Sequence, residues 1–222
     1  MQGMIEKRGS IGIIWIDNPP VNAISHAVRE GLIKAVENAS KDSEIKGLVL
    51  ACRGRTFMAG ADITEFASGV KPPWLGEVID TMSESSKVIV AAIFGTTFGG
   101  GLEVALGCNY RIADSNTKIG LPEVKLGIIP GAQGTQRLSR VSSVEFALKL
   151  ATLGNPVGAQ EALEAGAIDK ISNGELIDDA VSYAEELFKN NAPLKKSHTL
   201  SIDPKKYNDS FFNDYRLSLI HI

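Results

Sequence analysis

The sequence predicts an α/β fold with a mainly parallel sheet. Two observations carry this. β-type runs and helix-period runs alternate along most of the chain. In addition, the segments Gly47-Leu48-Val49-Leu50-Ala51 and Val88-Ile89-Val90-Ala91-Ala92-Ile93 are apolar at nearly every position. A strand apolar on both faces belongs to a sheet covered on both sides, which is the setting of parallel strands.

The elements follow in order. Ile11 to Ile16 is β-rich and ends at the turn Asp17-Asn18-Pro19-Pro20. Ser25 is placed to cap a helix whose apolar face is Val28, Leu32, Val36 and Ala39. Ile45 to Cys52 is the next strand, and Arg53 to Asp62 a loop with two glycines. After a proline-containing loop, Gly69 to Trp74, a helix over Leu75 to Ser86 leads into the strand at 88–93. Then come Gly99, Gly100 and Gly101, a helix over Leu102 to Leu106, and Gly107 as its stop. Tyr110 to Ala113 is a short strand, and a second short strand precedes Gly120-Leu121-Pro122-Glu123. A long helix is expected from about Gly134 to Ala151, another over Gly158 to Gly166, a strand over Ala167 to Ile171 and a helix over Leu176 to Phe188.

The 222 residues suffice for one large domain, and 44% apolar content marks a globular chain. A formal charge of −3 gives no reason to expect nucleic acid or a membrane surface as partner. No apolar run approaches transmembrane length, and Met1 to Ser10 lacks a secretory apolar region. Cys52 and Cys108 lie in apolar surroundings without metal-like spacing, so they read as reduced core thiols of an intracellular protein. His26, His198 and His221 form no cluster, which argues against a metal site or a Ser-His-Asp triad. From Asn190 onward the composition changes to proline, paired lysines and Ser/Asn/Asp, then Phe211, Phe212 and Tyr215. Residues 1–190 are therefore expected as the core, with 191–222 a linker or incomplete C-terminal region.

The chemistry concentrates between Gly95 and Gln136. A strand followed by a glycine turn and a helix brings bare N–H groups to a helix start, where the dipole adds partial positive charge. Glu103 lies in the first turn of that helix, and Glu123 stands twenty positions on. A backbone anion hole beside two carboxyl groups is what enolate chemistry needs. Each feature has a plainer meaning alone: close packing for the glycines, dipole complementarity for Glu103, a solvated turn for Glu123. A dinucleotide turn fits poorly, because Val104 stands where a third small residue is wanted and Glu103 would meet the pyrophosphate.

Phe57-Met58-Ala59-Gly60-Ala61-Asp62, Gly99-Gly100-Gly101-Leu102-Glu103 and Leu121-Pro122-Glu123 together resemble the crotonase family of enoyl-CoA hydratases and isomerases. Pro19-Pro20-Val21-Asn22-Ala23 and the run from Gly127 to Leu138 extend the likeness, which covers roughly residues 10 to 190. The wording around Gly101 to Cys108 is most similar to the hydratase part of bifunctional β-oxidation enzymes, where a dehydrogenase domain follows. The resemblance implies a spiral of ββα units, an acyl-CoA substrate and no cofactor beyond the CoA it carries. It implies an oxyanion hole at the Ala59 and Gly100 N–H groups, with Gly60, Ala61, Asp62 and Gly131 as further substrate contacts. Asp62 also suits a helix N-cap. Glu103 would activate water and Glu123 would deliver the proton at C2. Members with both acids hydrate 2-enoyl-CoA, and Glu123 alone would serve 3-enoyl isomerisation. The alternatives are a catalytically silent acyl-CoA-binding homologue, or another chemistry of the family such as thioester hydrolysis. The family's closing C-terminal helices are expected to be truncated here, leaving a homo-oligomer or a following domain open.

Overall fold

The computed structural model describes residues 3–65, 69–207 and 211–213. In chain order the strands are β1 (Met4–Arg8), β2 (Ile11–Ile16), β3 (Gly47–Cys52), β4 (Val88–Ile93), β5 (Thr96–Phe98), β6 (Tyr110–Ala113), β7 (Lys118–Gly120), β8 (Val157–Gly158) and β9 (Lys170–Ile171). The helices are α1 (His26–Lys41), α2 (Leu75–Ser83), α3 (Gly100–Gly107), α4 (Gly134–Val141), α5 (Val144–Leu153), α6 (Ala159–Glu164) and α7 (Leu176–Lys189).

The main sheet has six strands in the order β1-β2-β3-β4-β6-β9. Only β1 runs antiparallel to its neighbour; the other pairs are parallel. The all-apolar strands are buried on both sides, as expected. Ile13, Val49 and Val90 face one way and pack under α7 through Ala180, Ala184 and Leu187. Ile14, Leu50 and Ala91 face the other way, into the core shared with α1, α2 and α3.

A second sheet, β5-β7-β8, stands beside the first. The chain passes between the sheets at Gly95, whose φ is +59°. A Cβ there would lie 2.7 Å from the Arg55 carbonyl oxygen, so the corner needs glycine. One strand from each sheet then leads to a helix: β4, β5 and α3, then β6, β7 and a 3-10 turn over Pro122–Leu126. This is the ββα unit repeated, and it brings Glu103 and Glu123 to equivalent places after β5 and β7.

Three expectations are corrected. The helix drawn over 134–151 is two helices, because Ser142 leaves the helical conformation and the Ser143 hydroxyl accepts the Phe146 N–H at 3.1 Å, starting a new helix. Ser25 sits at the start of α1, but its side chain caps nothing. The carboxylate of Glu65 accepts the His26 N–H instead. Beyond residue 190 the chain does not leave the core at once. The Tyr110 hydroxyl donates to the Pro193 carbonyl at 2.7 Å, Lys195 pairs with Asp169 at 2.7 Å, and Ser197 is buried and donates to the Leu106 carbonyl. Tyr215, in the aromatic group noted in the sequence, lies outside the described residues. Cys52 and Cys108 are buried and unpaired, with both thiols pushed up by burial. Among the described residues no helix is long and apolar enough to cross a membrane.

Candidate active site

α3 starts where it does because of Gly99. Its φ of 51° and ψ of −125° lie where side chains are not tolerated, and its N–H donates to the Gly120 carbonyl of β7 at 2.9 Å. Gly100 is the first helical residue, so its N–H has no acceptor within the helix. At Gly101 a Cβ would lie 2.0 Å from the Met58 carbonyl oxygen. Only glycine allows the helix start and the Met58-Ala59 backbone to approach this closely.

The loop carrying Ala59 is held from below by Asn22, buried at a φ of 52°. Its amide donates to the carbonyls of Arg53 and Thr56, both at 2.8 Å, and its side-chain oxygen accepts the Asn18 N–H at 2.8 Å. The Ala59 N–H itself donates to the Val21 carbonyl at 3.2 Å. Of the two proposed donors, Gly100 thus heads a helix with its N–H free of helical bonding, while Ala59 is engaged in a long bond that an incoming oxygen must share or displace.

All the residues singled out in the sequence line one cavity of about 400 Å³: Ala59, Gly60, Ala61, Asp62, Gly100, Glu103, Glu123 and Gly131. The Asp62 carboxylate accepts the Thr64 N–H at 3.0 Å and the Thr64 hydroxyl at 2.7 Å. Arg53, at the start of that loop, stacks its guanidinium 3.5 Å over the Trp15 ring and lies 3.7 Å from Glu6.

Glu103 is 2% exposed. One carboxylate oxygen accepts two backbone N–H groups, from Ala132 and Gly134, each at 2.8 Å. A Cβ on Gly134 would fall 2.8 Å from that oxygen, which is why glycine stands there. Burial pushes the Glu103 carboxyl up to about 7, and the charge of Glu123 adds to this, while the two N–H bonds pull it down. Glu123, on the 3-10 turn, is also raised by burial, and one of its oxygens is buried without a hydrogen-bond partner. A Cβ on Gly99 would come within 2.8 Å of its other oxygen. Both carboxyl groups are therefore raised, Glu103 to about 7, on separate elements, with glycine making room beside each.

The raised carboxyl has a stability consequence. Glu103 is harder to ionise folded than unfolded, so its contribution is fully present below the unfolded value of 4.5 and is lost as pH rises through about 7. A shift of that size is worth roughly 3 kcal/mol. Glu103→Gln removes the ionisation while its amide oxygen can still accept the two N–H groups. It is expected to gain stability over the natural chain as pH rises from 5 to above 7, read by urea unfolding at each pH. A stability gap that does not widen with pH overturns this account of the site.

Sequence reasoning missed Arg29. It is 4% exposed at the cavity wall, pairs with Glu65 at 2.9 Å, and donates to the carbonyls of Pro73 at 2.7 Å and Lys71 at 2.9 Å. It thus ties the loop before α2 to α1. Its spacing of three and seven from Leu32 and Val36 puts it on the buried face, a signal that a count of apolar residues alone passes over.

A profile of the enoyl-CoA hydratase/isomerase family matches residues 6–205. The chain is 43% identical over 195 residues to a peroxisomal bifunctional enzyme of Cavia porcellus, covering 86% of this chain and 27% of that protein. It is 34% identical over 224 residues to a probable enoyl-CoA hydratase of Bacillus subtilis, covering 90% of this chain and 87% of that one. The solved enoyl-CoA hydratase of Bacillus anthracis superposes with a TM-score of 0.81 at 28% identity, covering 99% of this chain and 91% of that one. The chain spans about a quarter of the length of the peroxisomal relatives it matches.

Proposed function

This chain belongs to the enoyl-CoA hydratase/isomerase family, and on that premise we propose that it hydrates 2-enoyl-CoA thioesters in fatty-acid β-oxidation. The observation that carries the reading is the pair of carboxyl groups, Glu103 and Glu123, lining one cavity together with the helix-start N–H of Gly100. Addition of water to a conjugated thioester builds negative charge on the thioester oxygen. Preorganised N–H donors stabilise that charge more in the transition state than in the substrate. In this reading the oxygen accepts the Gly100 N–H and competes with the Val21 carbonyl for that of Ala59. Glu103, whose ionised form the two N–H groups favour against burial, takes the proton of the water attacking C3. Glu123, whose buried oxygen has no partner and whose carboxyl is raised, delivers a proton to C2. Hydration changes no net oxidation state, so the steps call for no redox cofactor, and CoA arrives with the substrate.

Shifting a 3-enoyl double bond needs a single proton shuttle, so Glu123 serves that reaction as well. Several relatives are longer and are named bifunctional or multifunctional, peroxisomal or glyoxysomal. We extend the reading accordingly: the chain works in a β-oxidation organelle, as the hydratase part of a protein with a following dehydrogenase domain.

The test is turnover of crotonyl-CoA and of longer 2-enoyl-CoA substrates, with the product identified. Loss of the enoyl absorbance with appearance of 3-hydroxyacyl-CoA is the expected result. Release of free CoA would mean thioester hydrolysis, and binding without turnover would mean a silent acyl-CoA-binding homologue; either overturns the reading.

A further inference from the structure

In the loop that holds Glu103, the residue in the left-handed region is not one of its glycines. Gly131, Ala132, Gln133 and Gly134 follow one another, and Gln133 takes φ 76°, ψ 10°. A residue with a side chain is disfavoured there, so it persists only where its surroundings fix it. The two N–H groups that meet the Glu103 oxygen belong to the residues on either side of it, Ala132 and Gly134.

Both ends of the Gln133 amide are tied. Its oxygen accepts from Arg137 Nε at 2.8 Å, and its nitrogen donates to Asp80 Oδ1 at 3.0 Å. Arg137 closes the ring by donating from Nη2 to the same Asp80 oxygen at 3.0 Å. Arg137 is fully buried and is itself fixed through Nη1, which donates to the hydroxyls of Ser83 and Ser197, each at 2.9 Å. The ring thus joins α2, α4 and the segment after α7 at one point of the loop.

We propose that the Gln133–Asp80–Arg137 ring is a positioning device for Glu103: it holds Gln133 in its disfavoured conformation and so aims the Ala132 and Gly134 N–H groups at the carboxylate. This rests on the reading of Glu103 as the group that activates water. Around the ring the charged and titratable groups are Asp80, Glu84, Arg140, Lys196 and His198, and the charge acting on Glu103 is that of Glu123. Loosening the ring costs Glu103 its two donors, which favour the ionised form, so its titration moves to higher pH.

The design of the variants separates this role from simple gluing of helices. Gln133→Ala removes the anchors and keeps the backbone penalty. Gln133→Gly removes the anchors and the penalty together. Asp80→Ala opens the ring at its exposed corner, while Asp80→Asn keeps an acceptor for both partners. Expected for Gln133→Ala and Asp80→Ala is a fall in kcat of about 10²-fold, the usual cost of a displacement of about 1 Å at a reacting group, with KM little changed. The acid limb of the pH profile should move to higher pH. Gln133→Gly and Asp80→Asn should recover most of the activity and the original profile. Glu103 ionisation is followed independently in the substrate-free protein by difference infrared of its carboxyl band, using Glu103→Gln as reference. An upward shift in the two alanine variants and none in the two restoring variants supports the ring. Unmoved titration in Gln133→Ala, or Gln133→Gly no better than Gln133→Ala, overturns it. If the natural chain fails to hydrate any enoyl-CoA, the functional reading falls, and the infrared comparison still decides the role of the ring.

Discussion

Glu123→Gln is expected to abolish 3-enoyl-CoA isomerisation while Glu103→Gln leaves much of it intact, and both are expected to cripple hydration. The asymmetry follows from what each reaction needs. Hydration must activate a water at C3 and supply a proton at C2, so both carboxyl groups act. Isomerisation moves one proton between two carbons and uses no water. Glutamine keeps the size and the hydrogen-bonding reach of glutamate but cannot exchange a proton. Loss of a general acid or base costs about 10²–10⁴-fold. The placement on two elements, α3 for Glu103 and the 3-10 turn for Glu123, allows each to act from its own side. The measurement is paired rates for a 2-enoyl-CoA and a 3-enoyl-CoA with each variant. Equal loss of both reactions in Glu103→Gln, or isomerisation spared in Glu123→Gln, would show that the division of roles is wrong.

Gly100→Pro is expected to lower turnover by about 10²–10³-fold with the fold retained, the cost of one oxyanion donor. Gly100 is the first residue of α3, the helix position where proline fits best, because the N–H it lacks has no helical acceptor there. The change therefore removes the proposed donor without removing a helix bond. The site is tight, since a Cβ on Gly100 would lie 3.0 Å from Leu75 and 3.3 Å from Ile24, both flexible side chains. Circular dichroism and thermal unfolding check that the helix survives. A folded variant with undiminished turnover would exclude Gly100 as the donor. That result would leave Ala59, whose N–H is already shared with Val21, as the remaining candidate.

The sequence by itself determined the layered α/β architecture, because strands such as β3 and β4 are apolar at every position and need cover on both faces. It also determined the glycine turn before α3, because consecutive glycines after a strand report a local backbone demand, whereas the residues around the cavity were legible through the motifs shared with the family. What it could not supply were relations between segments far apart in the chain. The second sheet exists because β5 pairs with β7 and β7 with β8, three short strands without a periodic signal of their own. β1 carries no apolar pattern of its own and is held by pairing to β2. The break at Ser142-Ser143 is by contrast local, a serine N-cap that the longer helical pattern around it masks. Arg29 and Arg137 look like surface charges in the sequence, yet each is buried because the tertiary structure brings distant carbonyls, hydroxyls and carboxylates to meet it. Composition marked the segment after residue 190 as outside the core, but Ser197 is drawn in by the Leu106 carbonyl, 91 residues earlier. Local patterns fix how a segment folds; the partners that satisfy a buried polar group come from elsewhere in the chain, and only the assembled structure names them.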